Sequence, residues 1–142
     1  MNTSQAILDA IPHRKPMLLV DEIVEQSEKR IVCRKTISPD DFFVQGHFPN
    51  FPLVPGVILC EAALQSGAIL LSKMTPQDGS IPVATRLDGV KFKKMVRPGE
   101  TITIEVDLID VVSSAYFMTG KVSVGGKLAA RLDFACTVAA PQ

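Results

Sequence analysis

Val57-Ile58-Leu59-Cys60-Glu61-Ala62-Ala63-Leu64-Gln65-Ser66-Gly67-Ala68-Ile69-Leu70-Leu71 is apolar around most of a helical circumference, with Glu61 its one charged residue and Gln65 its one amide. A helix without a polar side is enclosed by other structure rather than laid on a surface. The stretch falls short of the roughly 20 apolar residues that a bilayer span needs, so it reads as a buried helix, continuing to Met74. Something must wrap it. Downstream, 82–96, Thr101–Val112, Ala115–Val124 and 127–138 read as strands. The clearest is the second, where Ile102, Ile104, Val106 and Leu108 alternate with Thr101, Thr103, Glu105 and Asp107, the period-two pattern of a half-buried strand. Pro98-Gly99, Ser113-Ser114 and Gly125-Gly126 supply turn chemistry at the joints, and Gly-Gly between strands favours a tight hairpin.

Upstream of the helix, Ser4 is placed to cap a short helix through Ile11, and Pro12 and Pro16 bar its continuation. The run 17–26 reads as a strand, joined by a hairpin at Ser27-Glu28-Lys29 to a second over 30–37. That second strand rests mainly on its β-branched content, with Ile31, Cys33 and Lys35 on one face and Val32, Arg34 and Thr36 on the other. From Ser38 to Gly56, Pro39, Pro49, Pro52 and Pro55 deny both helix and sheet ladder, and irregular stretches this long are usually functional. The expected fold is α+β, an antiparallel sheet curled around one apolar helix, as a single domain over 1–142.

The 142 residues are enough to bury a core without staples. Fifteen basic residues balance fifteen acidic ones, so no overall field drives the chain onto nucleic acid or an anionic membrane. Cys33, Cys60 and Cys136 are odd in number, far apart and set among apolar residues, which points to a reduced, cytoplasmic protein without structural zinc. The N-terminus has neither the basic start nor the apolar run of a secretory signal.

Chemistry concentrates around the start of the helix. Carboxyl groups enclosed by apolar side chains are expensive to ionise, and one kept protonated can serve as a general acid. Glu61 is the candidate, and Gln65 lies one helical turn on, where its amide could orient the carboxyl. An ion pair with a basic residue elsewhere is the plainer alternative for Glu61. Gly46-His47-Phe48-Pro49 places an imidazole in the proline-rich segment before the same helix, suited to act as general base near neutral pH. A surface or hydrogen-bonded core histidine is the plainer alternative there, and it is the reading kept for His13. Between them Val54-Pro55-Gly56 opens the helix, leaving unpaired N–H groups at the positive end of its dipole for an oxyanion. Base, anion site and acid in this order suit abstraction of a proton beside a carbonyl with loss of a β-hydroxyl.

The run from Gln45 through Val57, with Glu61-Ala62 and Gln65, resembles the active-site segment of the 3-hydroxyacyl-acyl-carrier-protein dehydratases, most of all the FabZ type. Ile11-Pro12-His13-Arg14 with Leu18-Leu19-Val20-Asp21 resembles the family's opening, and Gly89-Val90-Lys91-Phe92 with Pro98-Gly99-Glu100 its sheet. The resemblance implies a hotdog fold and a dehydratase of fatty acid or related acyl-chain biosynthesis. It implies His47 and Glu61 as catalytic residues from different subunits of a homodimer, which could assemble further as a trimer of dimers. It also implies Gly56 as backbone donor to the thioester oxygen, Gln65 as a supporting residue, and an acyl carrier protein bearing the substrate as partner. Phe48, Phe51 and Val57 are candidates for lining the acyl tunnel, and Lys91, Lys93, Lys94 and Arg97 form a basic group for docking the acidic carrier, with a merely solvated strand face as the alternative. Phe92 is expected to point into the core. No metal, nucleotide or other cofactor is expected. Asn50-Phe51 stands where the family commonly shows Gly-His, Lys15 where an aromatic is usual and Leu53 where a β-branched residue is usual. Glutamate at 61 resembles the branch that dehydrates without isomerising. A hotdog thioesterase and a non-catalytic acyl-binding subunit are the rival readings.

Overall fold

The computed structural model describes residues 3–140. Helix α1 (Thr3–Ala10) leads through a turn to the hairpin of β1 (Glu22–Gln26) and β2 (Arg30–Thr36). A proline-rich connection reaches the long helix α2 (Gly56–Leu71), and β3 (Ile81–Phe92), β4 (Thr101–Val112), β5 (Ala115–Val124) and β6 (Lys127–Ala139) follow. The six strands form one sheet in the order β1-β2-β4-β5-β6-β3, every neighbouring pair antiparallel. Helix α2 packs against β2 to β6, the wrapped-helix arrangement expected of a hotdog fold.

The alternation in β4 is realised as read, with Ile102, Ile104 and Val106 buried in one core with Ile31 and Cys33 of β2 and Met118 and Val122 of β5. Leu59, Ala62, Ala63, Ile69 and Leu70 meet them from the helix. With a following 3-10 turn, Gly56–Met74 has the length and apolarity to cross a bilayer, 19 residues at mean hydropathy 1.4, longer than the sequence reading allowed. Within the fold 61% of its most apolar window is buried, which accounts for that composition. Gly125 and Gly126, with φ of 57° and 79°, turn β5 into β6 with both residues left-handed, the conformation glycine adopts at no steric cost.

Several boundaries differ from the sequence reading, most by one residue, and three of them bear on the fold. Helix α1 begins at Thr3, so Ser4 lies inside it rather than capping it. Residues 17–21 are not part of a strand; the side chain of Gln65 takes the place of a neighbouring strand, accepting from the Leu19 N–H at 2.8 Å and donating to the Met17 carbonyl at 2.8 Å. Strand β3 stops at Phe92 rather than Val96, because the Lys93 and Lys94 N–H groups turn to the Ala129 carbonyl and the chain peels away so that Val96 can accept from the Val54 N–H at 2.8 Å. The core face of β2 ends on a cation, Lys35, buried with its Nζ 3.9 Å from Asp21 and 3.7 Å from Asp41. That pairing ties the start of the proline-rich segment to the sheet.

Helix and sheet meet closely through small residues. A methyl group at Gly120 of β5 would lie 3.1 Å from Cβ of Ala63 and 3.4 Å from both Leu132 and Phe134. Alanine ordinarily improves on glycine within a strand, but Cβ of Ala63 is fixed to the helix backbone and cannot rotate away. Gly120→Ala is therefore expected to destabilise the protein by about 1–3 kcal/mol, the usual cost of overpacking, read as a lower urea midpoint at unchanged slope.

Candidate active site

The segment between β2 and α2 is a chain of short turns held by its own backbone. Val44 donates to Asp41 at 3.0 Å, His47 to Val44 at 3.2 Å and Phe51 to Phe48 at 2.7 Å, while Phe43, Val44 and Val54 are buried as anchors. His47 therefore sits on a loop whose two ends are fixed. Its Nδ1 is 3.0 Å from the Leu53 carbonyl oxygen. A carbonyl only accepts, so Nδ1 carries the hydrogen and the neutral ring presents Nε2 as a lone pair, the form a general base requires. Phe48 stacks on the imidazole at 4.3 Å between ring centres. It does so from a left-handed backbone, φ 51°, a conformation a bulky residue holds only where its surroundings impose it.

The imidazole opens into a cleft of about 1040 Å³, shared with Phe48, Leu53, Gly56, Val57 and Phe92. Pro55 precedes α2 and offers no side-chain cap, so the leading N–H groups of the helix have no side-chain acceptor. Gly56 and Phe92 approach closely: a Cβ at Gly56 would stand 2.7 Å from the Phe92 ring, so a larger residue there requires that ring to shift. Phe92 itself is 53% exposed, which corrects the expectation that it points into the core; it lies on the edge strand β3 and covers the helix start instead. Sequence reasoning missed it as a cleft residue, since on a lone strand nothing distinguishes the inward face. Phe51 lies beside the cleft in a depression with Pro52 and Pro98, and the Arg97 guanidinium stands 4.7 Å above its ring. Lys93, Lys94 and Arg97 border the cleft, while Lys91 is exposed on β3 outside its lining.

Glu61 lies in a different, smaller cavity of about 280 Å³, with Gln65, His13, Leu64, Ile81 and Cys136. Its side chain is 29% exposed, so the enclosure argued from the helix pattern is incomplete within one chain. Gln65 is wholly buried and donates to Oε2 of Glu61 at 2.9 Å, the orienting contact the spacing suggested, while its other bonds to Met17 and Leu19 lock the amide's orientation. The second partner of Glu61 is His13, with Nε2 3.8 Å from Oε2. Nothing in the sequence placed His13 there beyond its rigid proline-flanked turn. Burial pushes the Cys136 thiol up to about 11, so it is uncharged at neutral pH. Among the described residues no three His, Cys, Asp or Glu side chains converge as a metal site requires.

One chain thus presents two separate groups of candidate residues: His47 with the uncapped helix start, and Glu61 with its two side-chain partners. A family profile described as FabA-like domain matches residues 11–133. The 3-hydroxyacyl-[acyl-carrier-protein] dehydratase FabZ of Clostridium perfringens is 40% identical over 91% of this chain and 92% of its own. The FabZ of Oenococcus oeni is 42% identical over 92% and 95%, and that of Ruminiclostridium cellulolyticum 36% identical over 98% and 100%. The chain belongs to the FabA-like family. Within that family its relatives place it in the FabZ branch. Among solved structures, one titled the dehydratase heterocomplex ApeI:P from Xenorhabdus doucetiae superposes with a TM-score of 0.81 at 15% identity, covering 94% of this chain and 90% of that one, a likeness of fold.

Gln65 ties the position of Glu61 to the fold. Gln65→Leu removes the acceptor of the buried Leu19 N–H as well as the donor to Glu61. The orphaned amide is expected to lower stability by roughly 1–3 kcal/mol in urea unfolding, alongside a loss of turnover.

Proposed function

We propose that the chain removes water from a 3-hydroxyacyl thioester carried on an acyl carrier protein, giving the trans-2-enoyl thioester in fatty acid biosynthesis. The observation that carries this reading is identity of about 40% to FabZ dehydratases along nearly the whole of both chains. The geometry supports it at both half-sites. Nε2 of neutral His47 takes a proton from C2 of the substrate. The developing enolate oxygen is held by the N–H of Gly56, and Glu61 protonates the C3 hydroxyl as it departs as water, the C–H electron pair becoming the new C2–C3 double bond. A well-placed oxyanion donor contributes roughly 3–4 kcal/mol and a positioned acid or base roughly 10² to 10⁴ in rate, enough for this elimination without a cofactor. The apolar cleft walls of Phe48, Val57 and Phe92 are suited to the acyl thioester, and Phe51, held under Arg97, shapes the depression beside it.

His47 and Glu61 line separate cavities, and completing one site from two copies of the chain resolves this. Strand β3 is an edge strand with Ile81, Val83 and Leu87 exposed, the kind of apolar edge that soluble proteins cover. Antiparallel pairing of β3 with its copy would cover it in a homodimer and carry each Glu61 cavity, which β3 lines, toward the other subunit. The enzyme works in the cytoplasm, where three buried, unpaired cysteines stay reduced.

With a 3-hydroxyacyl-carrier substrate the product is expected to be an enoyl thioester and not a free acid, which separates dehydration from thioester hydrolysis. Glu61→Gln is expected to lose activity by at least about 10²-fold while keeping fold and dimer; near-native turnover would remove Glu61 from the role of acid. Reversal of Lys93 and Arg97 to glutamate is expected to raise KM for carrier-bound substrate well beyond any change with a small thioester, because long-range charge steers encounter rather than chemistry. Equal losses on both substrates would discard the docking surface.

A further inference from the structure

The turn between α1 and β1 is built to hold one side chain still. Arg14 clamps it by donating to the Leu8 carbonyl at 3.0 Å, the Ile11 carbonyl at 2.8 Å and the His13 carbonyl at 2.7 Å, which satisfies one of the last carbonyls of α1 and two of the turn itself and fixes the backbone of His13. The imidazole so placed has Nε2 3.8 Å from Oε2 of Glu61, within ion-pair reach and just beyond a hydrogen bond. Its Nδ1 is buried and without a hydrogen-bond partner among the described residues. A hydrogen on Nδ1 would be a buried donor with no acceptor, so the form that fits is the neutral ring with its hydrogen on Nε2, the nitrogen beside Glu61. Oε2 already accepts from the Gln65 amide at 2.9 Å. A second donor closing onto Oε2 would leave Oε1 as the oxygen to carry the acidic hydrogen. The remaining walls of the cavity add no charge: α2 contributes Leu64 and Ala68, β3 contributes Ile81 and Val83, and the Cys136 thiol on β6 is neutral.

We propose that His13 is a positioning residue for the acid, a neutral Nε2–H donor that closes onto Oε2 when substrate binds and, with Gln65, turns Oε1 toward the departing hydroxyl. The inference rests on Glu61 being the acid, and goes beyond it by assigning which oxygen delivers the proton and what holds the other. Catalytic hydrogen bonds that are long in the free enzyme commonly tighten in the substrate complex.

The test uses the full-length protein, with a short trans-2-enoyl thioester followed in the hydration direction. His13→Ala is expected to lower kcat by about 10- to 100-fold while KM changes by less than about twofold, the signature of an interaction made in the transition state. His13→Gln, whose amide keeps an uncharged N–H donor near the position of Nε2, is expected to recover kcat to within about threefold of wild type. In a Glu61→Gln background, His13→Ala is expected to add nothing, since the group it positions is already gone. Unchanged kcat in His13→Ala, equal loss in His13→Ala and His13→Gln, or a full additional loss in the Glu61→Gln background would each overturn the assignment. If His13→Ala does not fold, His13→Gln and its double variant with Glu61→Gln decide the matter by the same criteria. Near-native turnover of Glu61→Gln alone is a separate result, and would remove the acid rather than the residue that positions it.

Discussion

Helix α2 has no face that water favours over most of its length, and the sheet curls because that helix must be enclosed. Its apolar side chains are buried against β2 to β6, and apolar burial is the dominant favourable term in folding. Small residues at the seam, Gly67 and Ala63 on the helix and Gly120 on β5, set how closely the layers approach. The same enclosure makes Glu61 conspicuous: a carboxylate on such a helix has to reach the rim of the core, and there it meets the few polar groups that the surrounding turns supply.

Those polar groups hold the fold and the candidate site together. Gln65 satisfies two backbone groups of 17–19 that would otherwise need a neighbouring strand, and the same amide reaches Glu61. At His47 the Leu53 carbonyl fixes the tautomer of the ring, and Phe92 packs closely on Gly56 at the start of the helix. In both places a hydrogen bond or a close contact sets the direction of a candidate group, so the rigidity of the core is passed directly to it.

Much of this was legible in the sequence, and the remainder fails for identifiable reasons. The apolar run of α2, the alternation of β4 and the glycine pair between β5 and β6 carry their structure locally, by period and by turn chemistry. The spacing of Gln65 from Glu61 correctly foresaw a contact one helical turn long. What a single sequence could not carry is pairing at a distance. Residues 17–20 look like a strand because their apolar content is that of one, but their partner is a side chain. Phe92 reads as a core residue until β3 is seen to be an edge. His13 gives no sign of its neighbour, because proximity to Glu61 depends on how the first turn docks on the middle of α2. The division of His47 and Glu61 between two cavities is likewise invisible to spacing, since they stand close in sequence on either side of the helix start.

That division is the central claim, and a dimer made of two differently tagged, individually inactive chains tests it most directly. His47→Ala in one chain and Glu61→Gln in the other leave one site with both substitutions and the second with neither. Purified through both tags, this mixed dimer is expected to show about half the activity of the wild-type dimer if the sites act independently. A verified mixed dimer as inactive as its parents would contradict the account and require each pair to be completed within a single chain.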